Sequence, residues 1–174
     1  ELVRHRFGRS LAGYDGEAAV QRGMAMGLVE EILSHGGNSF DSALEIGCGT
    51  GLLSREMARR LHIRTIVAND LVAECGPRAA GAVEQMAGLQ FKFHPGDIER
   101  ITFPPATFDL AASNAVFHWL DDPAGLLERL AATLRPGGLL AFTTFGPDNL
   151  REVAAVAGKG LRYRPIGEVA ALVE

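Results

Sequence analysis

A glycine-rich segment after a short apolar stretch is the first place where this sequence could bind a ligand. Gly47, Gly49 and Gly51 occupy alternate positions after Glu45 and Ile46. Glycines let a backbone turn tightly and let a ligand approach without obstruction by a Cβ atom. Because the apolar stretch has the pattern of a strand and the residues after the glycines that of a helix, the segment predicts a ligand-binding turn.

The spacing and charge of this segment discriminate between two classes of ligand. A dinucleotide fingerprint has a third glycine at the sixth position of the motif, where this chain has Leu52. The carboxylate of Glu45 would repel a pyrophosphate, but it would stabilise the sulfonium and ammonium cations of S-adenosylmethionine. The residues therefore favour S-adenosylmethionine and disfavour a nucleotide-sugar or NAD-binding module.

Acidic residues also follow the next two predicted strands, at Asp70 and Asp97. We expect Asp70 to accept hydrogen bonds from both ribose hydroxyls and Asp97 to accept one from the adenine amino group. A single aspartate at a strand end is otherwise typical of a turn or a helix cap. Cys48 is interpreted as a small residue, not a reactive one. The predicted cofactor-binding set comprises Glu45, Gly47, Cys48, Gly49, Gly51, Asp70, Leu71, Asp97, Ile98 and Asn114.

Apolar periodicity predicts the elements that must position these residues. Strands are predicted at 42–46, 65–68, 89–94, 108–113 and 139–144. Between and around them, helical spacing of apolar residues predicts four longer helices. The first is marked by Val20, Met24, Leu28 and Ile32, the second by Leu53, Met57 and Leu61, and the third covers 77–87. The fourth begins at Asp122-Pro123 and is marked by Leu126, Leu127, Leu130 and Leu134. Pro136-Gly137-Gly138 is predicted to end the last of these, the range 95–107 to be mostly loop, and 148–157 and 166–174 to form two shorter helices.

This alternation predicts an α/β fold, a doubly wound and mostly parallel sheet of the Rossmann-like kind. We expect one domain over residues 1–174. It would comprise an N-terminal helical segment at 1–37, a cofactor-binding core at 38–146 and a C-terminal helical segment at 147–174.

Composition excludes several other functions. The 174 residues carry a net charge of −4, which does not favour nucleic acid as a partner. No stretch approaches the ~20 apolar residues of a membrane span. Two cysteines and no His/Cys cluster indicate neither a disulfide framework nor a metal site, and a cytoplasmic location is expected. Basic residues concentrate at two places: Arg4, Arg6 and Arg9, then Arg151, Lys159, Arg162 and Arg164.

Longer runs of sequence carry a family resemblance. They are Phe7-Gly8-Arg9 with Tyr14-Asp15, Gly96-Asp97-Ile98-Glu99, Ser113-Asn114-Ala115 with His118-Trp119, and the run from Phe142 through Thr-Phe-Gly-Pro to Leu150. With them the chain resembles class I S-adenosylmethionine methyltransferases and, within these, the malonyl-[acyl-carrier protein] O-methyltransferase family of biotin synthesis. Two features depart from that family: many relatives have glutamine where this chain has His118, and relatives continue into two further strands, so a truncated domain is expected.

The resemblance implies a function and two further site residues. It implies transfer of a methyl group from S-adenosylmethionine to the free carboxylate of a malonyl group carried by acyl carrier protein or CoA, with S-adenosylhomocysteine as product. Tyr14 and His118 are the catalytic-side candidates, His118 as a neutral hydrogen-bonding group. An arginine that the sequence does not specify would bind the malonyl carboxylate. Two alternatives remain open: a small-molecule methyltransferase with another acceptor, and a non-catalytic domain that binds the cofactor.

Overall fold

The architecture is a five-stranded parallel sheet covered by helices on both faces. The computed structural model describes residues 18–149 and 163–172. Its strands are β1 (Ser39–Ile46), β2 (His62–Asp70), β3 (Gln90–Pro95), β4 (Phe108–Asn114) and β5 (Leu134–Thr143). Its helices are α1 (Ala19–Gly36), α2 (Leu52–Arg60), α3 (Cys75–Val83), α4 (Pro123–Thr133) and α5 (Ile166–Ala170), with a 3-10 turn at Phe117–Trp119.

The strand order is β3-β2-β1-β4-β5, and every neighbouring pair is parallel. The chain runs outward from β1 on one side and returns past it to β4 on the other. The predicted doubly wound α/β fold is therefore confirmed. In such sheets ligands bind beyond the carboxyl ends of the strands, where the direction of winding reverses, which here lies between β1 and β4.

Two hydrophobic cores hold the helices on the sheet. On one face, α1, α2 and α3 contribute buried residues that include Ile32, Met57 and Ala79. On the other face, α4 contributes Leu126 and Leu130, among others. Because the inner strands are covered on both faces, β1 and β4 consist mostly of buried apolar residues rather than an alternating pattern.

The largest difference from the predicted elements concerns α4 and β5. The predicted stop at Pro136-Gly137-Gly138 lies inside β5, which begins at Leu134 instead of 139. Leu134 pairs with Phe108, and the register shifts between Phe108 and Leu110, so the ladder is irregular where proline and the two glycines occur. β5 is the outermost strand on its side of the described sheet, and an edge strand tolerates a proline that cannot donate a hydrogen bond.

Smaller differences affect the helices. Val20 was predicted on the core face of α1, but its side chain is 61% exposed because the first turn of this helix extends beyond the sheet toward a cavity. The predicted helix at 77–87 is α3, which begins and ends earlier, and α5 is shorter than the predicted 166–174. The helix predicted at 148–157 lies mostly outside the described residues. Within the described part, no helix has the length and apolarity that crossing a bilayer requires.

The close approach of α2 and α3 gives a first prediction. Gly51 has φ +88°, and a Cβ at this position would lie 2.8 Å from Cα of Ala79. Gly51→Ala should therefore lower the free energy of unfolding by about 2 to 4 kcal/mol, through left-handed strain and overpacking. Gly23→Ala is the control: no heavy atom lies within 4 Å of its Cβ position in α1, so a gain of about 0.5 to 1 kcal/mol is expected. Urea denaturation measures both, and equal stabilities would contradict the packing argument.

Candidate functional site

The glycine loop joins β1 to α2 and is shaped by left-handed backbone conformations. Gly47 and Gly49 have φ values of +65° and +53°. The side chain of Val116 lies so close to Gly47 that a Cβ there would collide with it. The N–H of Cys48 donates to the carbonyl of Asn69 on β2 over 2.9 Å. The loop is thereby fixed to the neighbouring strand at the carboxyl edge of the sheet.

Glu45 lies beneath the loop and is almost completely buried, with 1% exposure. The hydroxyl of Ser54, in the first turn of α2, donates to its Oε2 atom. Burial raises the pKa of Glu45 to about 8, the Ser54 contacts oppose this rise, and the nearby Asp70 adds to it. At neutral pH the carboxyl group of Glu45 is therefore mostly protonated in the protein without ligand. This differs from the ionised carboxylate that the sequence predicts. A cation bound beside it would favour the ionised form.

Asp70 connects the end of β2 to the same loop. Its Oδ2 accepts the N–H of Gly49 over 2.8 Å, and its Oδ1 accepts the N–H of Val72 over 2.9 Å. Burial raises the pKa of Asp70, and these two backbone bonds oppose the shift. The side chain of Cys75 and the N–H of Leu71 also contact this carboxylate and oppose the shift, so Asp70 orders both the loop and the residues that follow β2.

Asp97 is the most exposed of the three predicted acidic residues. Its side chain is 39% exposed and lies 3.3 Å from Nε of Arg100. Its Oδ1 atom accepts the N–H of Glu99 over 3.0 Å, as a turn-capping aspartate does. The adjacent Ile98 is 7% exposed and gives this end of the site an apolar wall.

His118 lies at the other end of the site among aromatic rings. Its ring contacts those of Trp119, Phe145 and Tyr163, with centroid distances of 5.2, 5.0 and 5.6 Å. Burial lowers the pKa of His118 to about 4, so the imidazole is neutral at pH 7. Its Nδ1 atom is buried without a hydrogen-bond partner in the described structure. A neutral hydrogen-bonding role fits these surroundings better than that of a general base.

A single cavity of about 740 Å³ brings most of the predicted residues together. Its size lies within the range of ordinary ligand pockets, about 300 to 1,000 Å³. Gly51 lines instead a smaller neighbouring cavity, and Tyr14 lies outside the described residues. The predicted residues that line the large cavity are Glu45, Gly47, Cys48, Gly49, Asp70, Leu71, Asp97, Ile98, Asn114 and His118.

Sequence reasoning missed several other residues of this wall. Val20 and Gln21 come from the first turn of α1, and Tyr163 comes from the segment before α5. No local motif marks these three, because they reach the cavity only through the packing of distant segments. Phe145 and Asn149 lie in the run from Phe142 to Leu150, so the family resemblance could have marked them as site residues. Among the described residues that line the cavity there are five acidic side chains and no arginine or lysine. The acidic residues are Glu45, Asp70, Asp97, Glu99 and Asp121.

Comparison with known proteins places this fold and cavity in a class. A family described as "Methyltransferase domain" matches residues 44–142. The complex of the Haloferax volcanii Trm112 methyltransferase activator with a methyltransferase has a TM-score of 0.70 at 22% identity, over 92% of this chain and 72% of that one. The [4+2]-cyclase SpnF has a TM-score of 0.68 at 19% identity, over 85% and 56%. At these identities the structural likeness establishes the fold alone.

The chain belongs to the methyltransferase domain family. Several relatives place it more finely, because they bear the name malonyl-[acyl-carrier protein] O-methyltransferase. The protein from Chlorobium luteolum is 43% identical over 99% of this chain and 66% of its own length. That from Prosthecochloris aestuarii is 38% identical over 98% and 64%, and that from Bacteroides helcogenes 32% over 99% and 70%. The family resemblance predicted from sequence is confirmed, and the chain spans about two thirds of the length of these relatives.

The buried carboxyl group gives a prediction on pH. Below pH 4.5 Glu45 is protonated in the folded and the unfolded chain; above it the unfolded chain loses this proton, while the folded chain keeps it until about pH 8. Its contribution to stability therefore falls as pH rises between these values, by up to about 1.4 kcal/mol per pH unit. Glu45→Gln does not titrate, so the stability of this variant relative to wild type should increase from pH 5 to pH 8. Urea denaturation across this range measures the difference, and a pH-independent difference would contradict the protonated state.

Proposed function

We propose that the chain is the S-adenosylmethionine-binding domain of an O-methyltransferase that methylates the free carboxylate of malonyl-[acyl-carrier protein] in cytoplasmic biotin synthesis. The shared name of relatives that are 32–43% identical supports this acceptor. The observation that carries the cofactor is Glu45, a buried carboxyl group in the wall of a glycine-loop cavity. The proposal covers residues 1–174 as one domain.

The residues of the cavity fit S-adenosylmethionine part by part. Glu45 lies below the loop, where it would ionise in response to a sulfonium or ammonium group. Asp70 lines the cavity and would accept hydrogen bonds from the ribose hydroxyls, and Asp97 with Ile98 would form a polar and apolar wall for adenine. Gly47 and Gly49 hold the loop in the left-handed conformations that line the cavity, and Cys48, Leu71 and Asn114 complete the proposed cofactor contacts.

The proposed reaction makes few chemical demands on the protein. Bound S-adenosylmethionine supplies an electrophilic methyl group, and a carboxylate oxygen forms the new C–O bond while the C–S electron pair remains on sulfur. A carboxylic acid with a pKa of about 4 is already ionised at neutral pH, so no general base is required. The chain's task is alignment and exclusion of water, and alignment alone is worth up to ~7–11 kcal/mol. His118 would contribute as a neutral polar group beside the acceptor, and Tyr14 as the second catalytic-side residue.

An anionic acceptor needs positive charge that the described cavity wall does not contain. Its charged lining residues are all acidic in the part of the chain that the structure describes. We therefore propose that an arginine outside the described residues binds the malonyl carboxylate, either one of the N-terminal arginines or Arg151 or Arg162. Arg164 is described and exposed, and it would contribute to a basic surface for the acidic carrier protein.

A direct assay separates this proposal from its alternatives. The protein is incubated with S-adenosylmethionine and malonyl-[acyl-carrier protein], and mass spectrometry follows S-adenosylhomocysteine and the methyl ester. Formation of both supports the proposal. Binding of S-adenosylhomocysteine without turnover would indicate another acceptor or a non-catalytic domain, and calorimetric affinity for NAD equal to that for S-adenosylhomocysteine would refute the cofactor assignment.

Asp70 provides a test of the cofactor contacts. Asp70→Ala should weaken S-adenosylhomocysteine binding by ~1.5–3 kcal/mol, because it removes a charged acceptor and the bond that orders Gly49. Asp41→Ala, on the exposed side of β1 with 70% of the side chain accessible, is the matched control and should bind like wild type. Titration calorimetry at constant pH measures both. Unchanged affinity of Asp70→Ala would reduce Asp70 to a structural cap.

A further inference from the structure

A threonine outside the cavity holds together three elements of its wall. The hydroxyl of Thr143, the last residue of β5, donates to Oδ1 of Asn114 over 2.7 Å. The same hydroxyl oxygen accepts the N–H of Ala115 over 3.0 Å. Asn114 in turn donates from Nδ2 to the carbonyl of Gln21 in α1 over 3.0 Å. Asn114, Ala115 and Gln21 line the cavity, whereas Thr143 does not.

This network determines the orientation of the Asn114 amide. The carbonyl of Gln21 can only accept, so the amide nitrogen of Asn114 must face α1. The amide oxygen of Asn114 then faces Thr143. The hydroxyl oxygen of Thr143 accepts from Ala115, and its proton is donated to the amide oxygen of Asn114. One N–H and one lone pair of Asn114 remain for a ligand in the cavity.

The network also holds an unfavourable backbone conformation. Ala115 has φ +58°, in the left-handed region that alanine rarely adopts. Both the carbonyl and the hydroxyl of Thr143 accept its N–H, over 3.1 and 3.0 Å. Residues in such conformations persist where the surroundings impose them. This turn directs the chain to Val116, which contacts Gly47, and then to His118.

We propose that Thr143 is a positioning residue of the site, which fixes the Asn114 amide and the Ala115 turn and thereby aligns the acceptor side of the cavity with the glycine loop. This inference rests on the proposed function for its kinetic readout but not for its structural one. Thr143 acts through its hydroxyl group. Thr143→Val removes this group with little change of side-chain shape, whereas Thr143→Ser retains it.

The first test measures affinity and turnover. Thr143→Val should weaken S-adenosylhomocysteine binding and lower kcat/KM for malonyl-[acyl-carrier protein], each by about 2- to 10-fold, as the loss of a hydrogen bond does. Thr143→Ser should stay within about 2-fold of wild type. Thr144→Val, one position further and outside this network, is the matched control. Wild-type values for Thr143→Val, or equal losses in Thr143→Ser, would overturn the proposal.

The second test asks whether Thr143 acts through Asn114. In a double-mutant cycle, Thr143→Val combined with Asn114→Ala should lose less affinity than the sum of the losses in the two single variants. Additive losses, or an Asn114→Ala variant with wild-type affinity and turnover, would overturn it. If wild type binds S-adenosylhomocysteine but does not methylate the malonyl carrier, the acceptor proposal fails and the affinity cycle still decides the role of Thr143.

The third test uses the protein without ligand. Amide hydrogen exchange at Ala115 should be faster in Thr143→Val than in wild type and should return to the wild-type rate in Thr143→Ser. The side-chain amide resonances of Asn114 should follow the same order. Unchanged exchange and resonances in Thr143→Val would overturn the proposal whatever the reaction of the protein.

Discussion

The carboxylate of Asp70 lies between the glycine loop and the end of β2, and it accepts one backbone N–H from each side, from Gly49 and from Val72. These bonds fix the loop over β1 and β2, where the carboxyl edge of the sheet opens into the cavity. A left-handed loop of glycines would otherwise gain much conformational entropy by opening. Together with the bond from the N–H of Cys48 to the carbonyl of Asn69, this connection fixes the loop relative to the β2 side of the cavity.

Burial under the loop has a second consequence, which concerns Glu45. A carboxyl group that is 1% exposed is costly to ionise even though it accepts from Ser54, so its proton is retained to about pH 8. A neutral Glu45 can be buried without a partner cation, and an ionised Glu45 becomes favourable when a cation is near. The same residue can therefore serve the stability of the free domain and the electrostatics of the proposed complex.

The two ends of the cavity differ in the kinds of side chain that form and support the wall. At the β2 and β3 end, acidic side chains and backbone turns dominate, around Asp70 and Asp97. At the β4 and β5 end, aromatic rings and an amide dominate: His118 lies 5.0 Å from Phe145 between ring centroids, and Asn114 accepts from Thr143. This contrast fits the proposed ribose and adenine contacts at the first end and an acceptor that needs alignment and exclusion of water at the second.

Apolar periodicity and residue type predict the fold class and the acidic half of the site. Buried parallel strands and helices have different apolar periods, and residues that follow parallel strands must meet at one edge, so Glu45, Asp70 and Asp97 could be placed together in advance. The protonation of Glu45 follows from the packed fold and not from the sequence pattern, because it depends on burial by α2, which no local pattern encodes. The packed fold also decides the contributions of Val20 and Tyr163 to the wall and the link from Thr143 to Asn114. These contacts join residues far apart in the chain, and their geometry follows from the packing of α1 and β5 against β4.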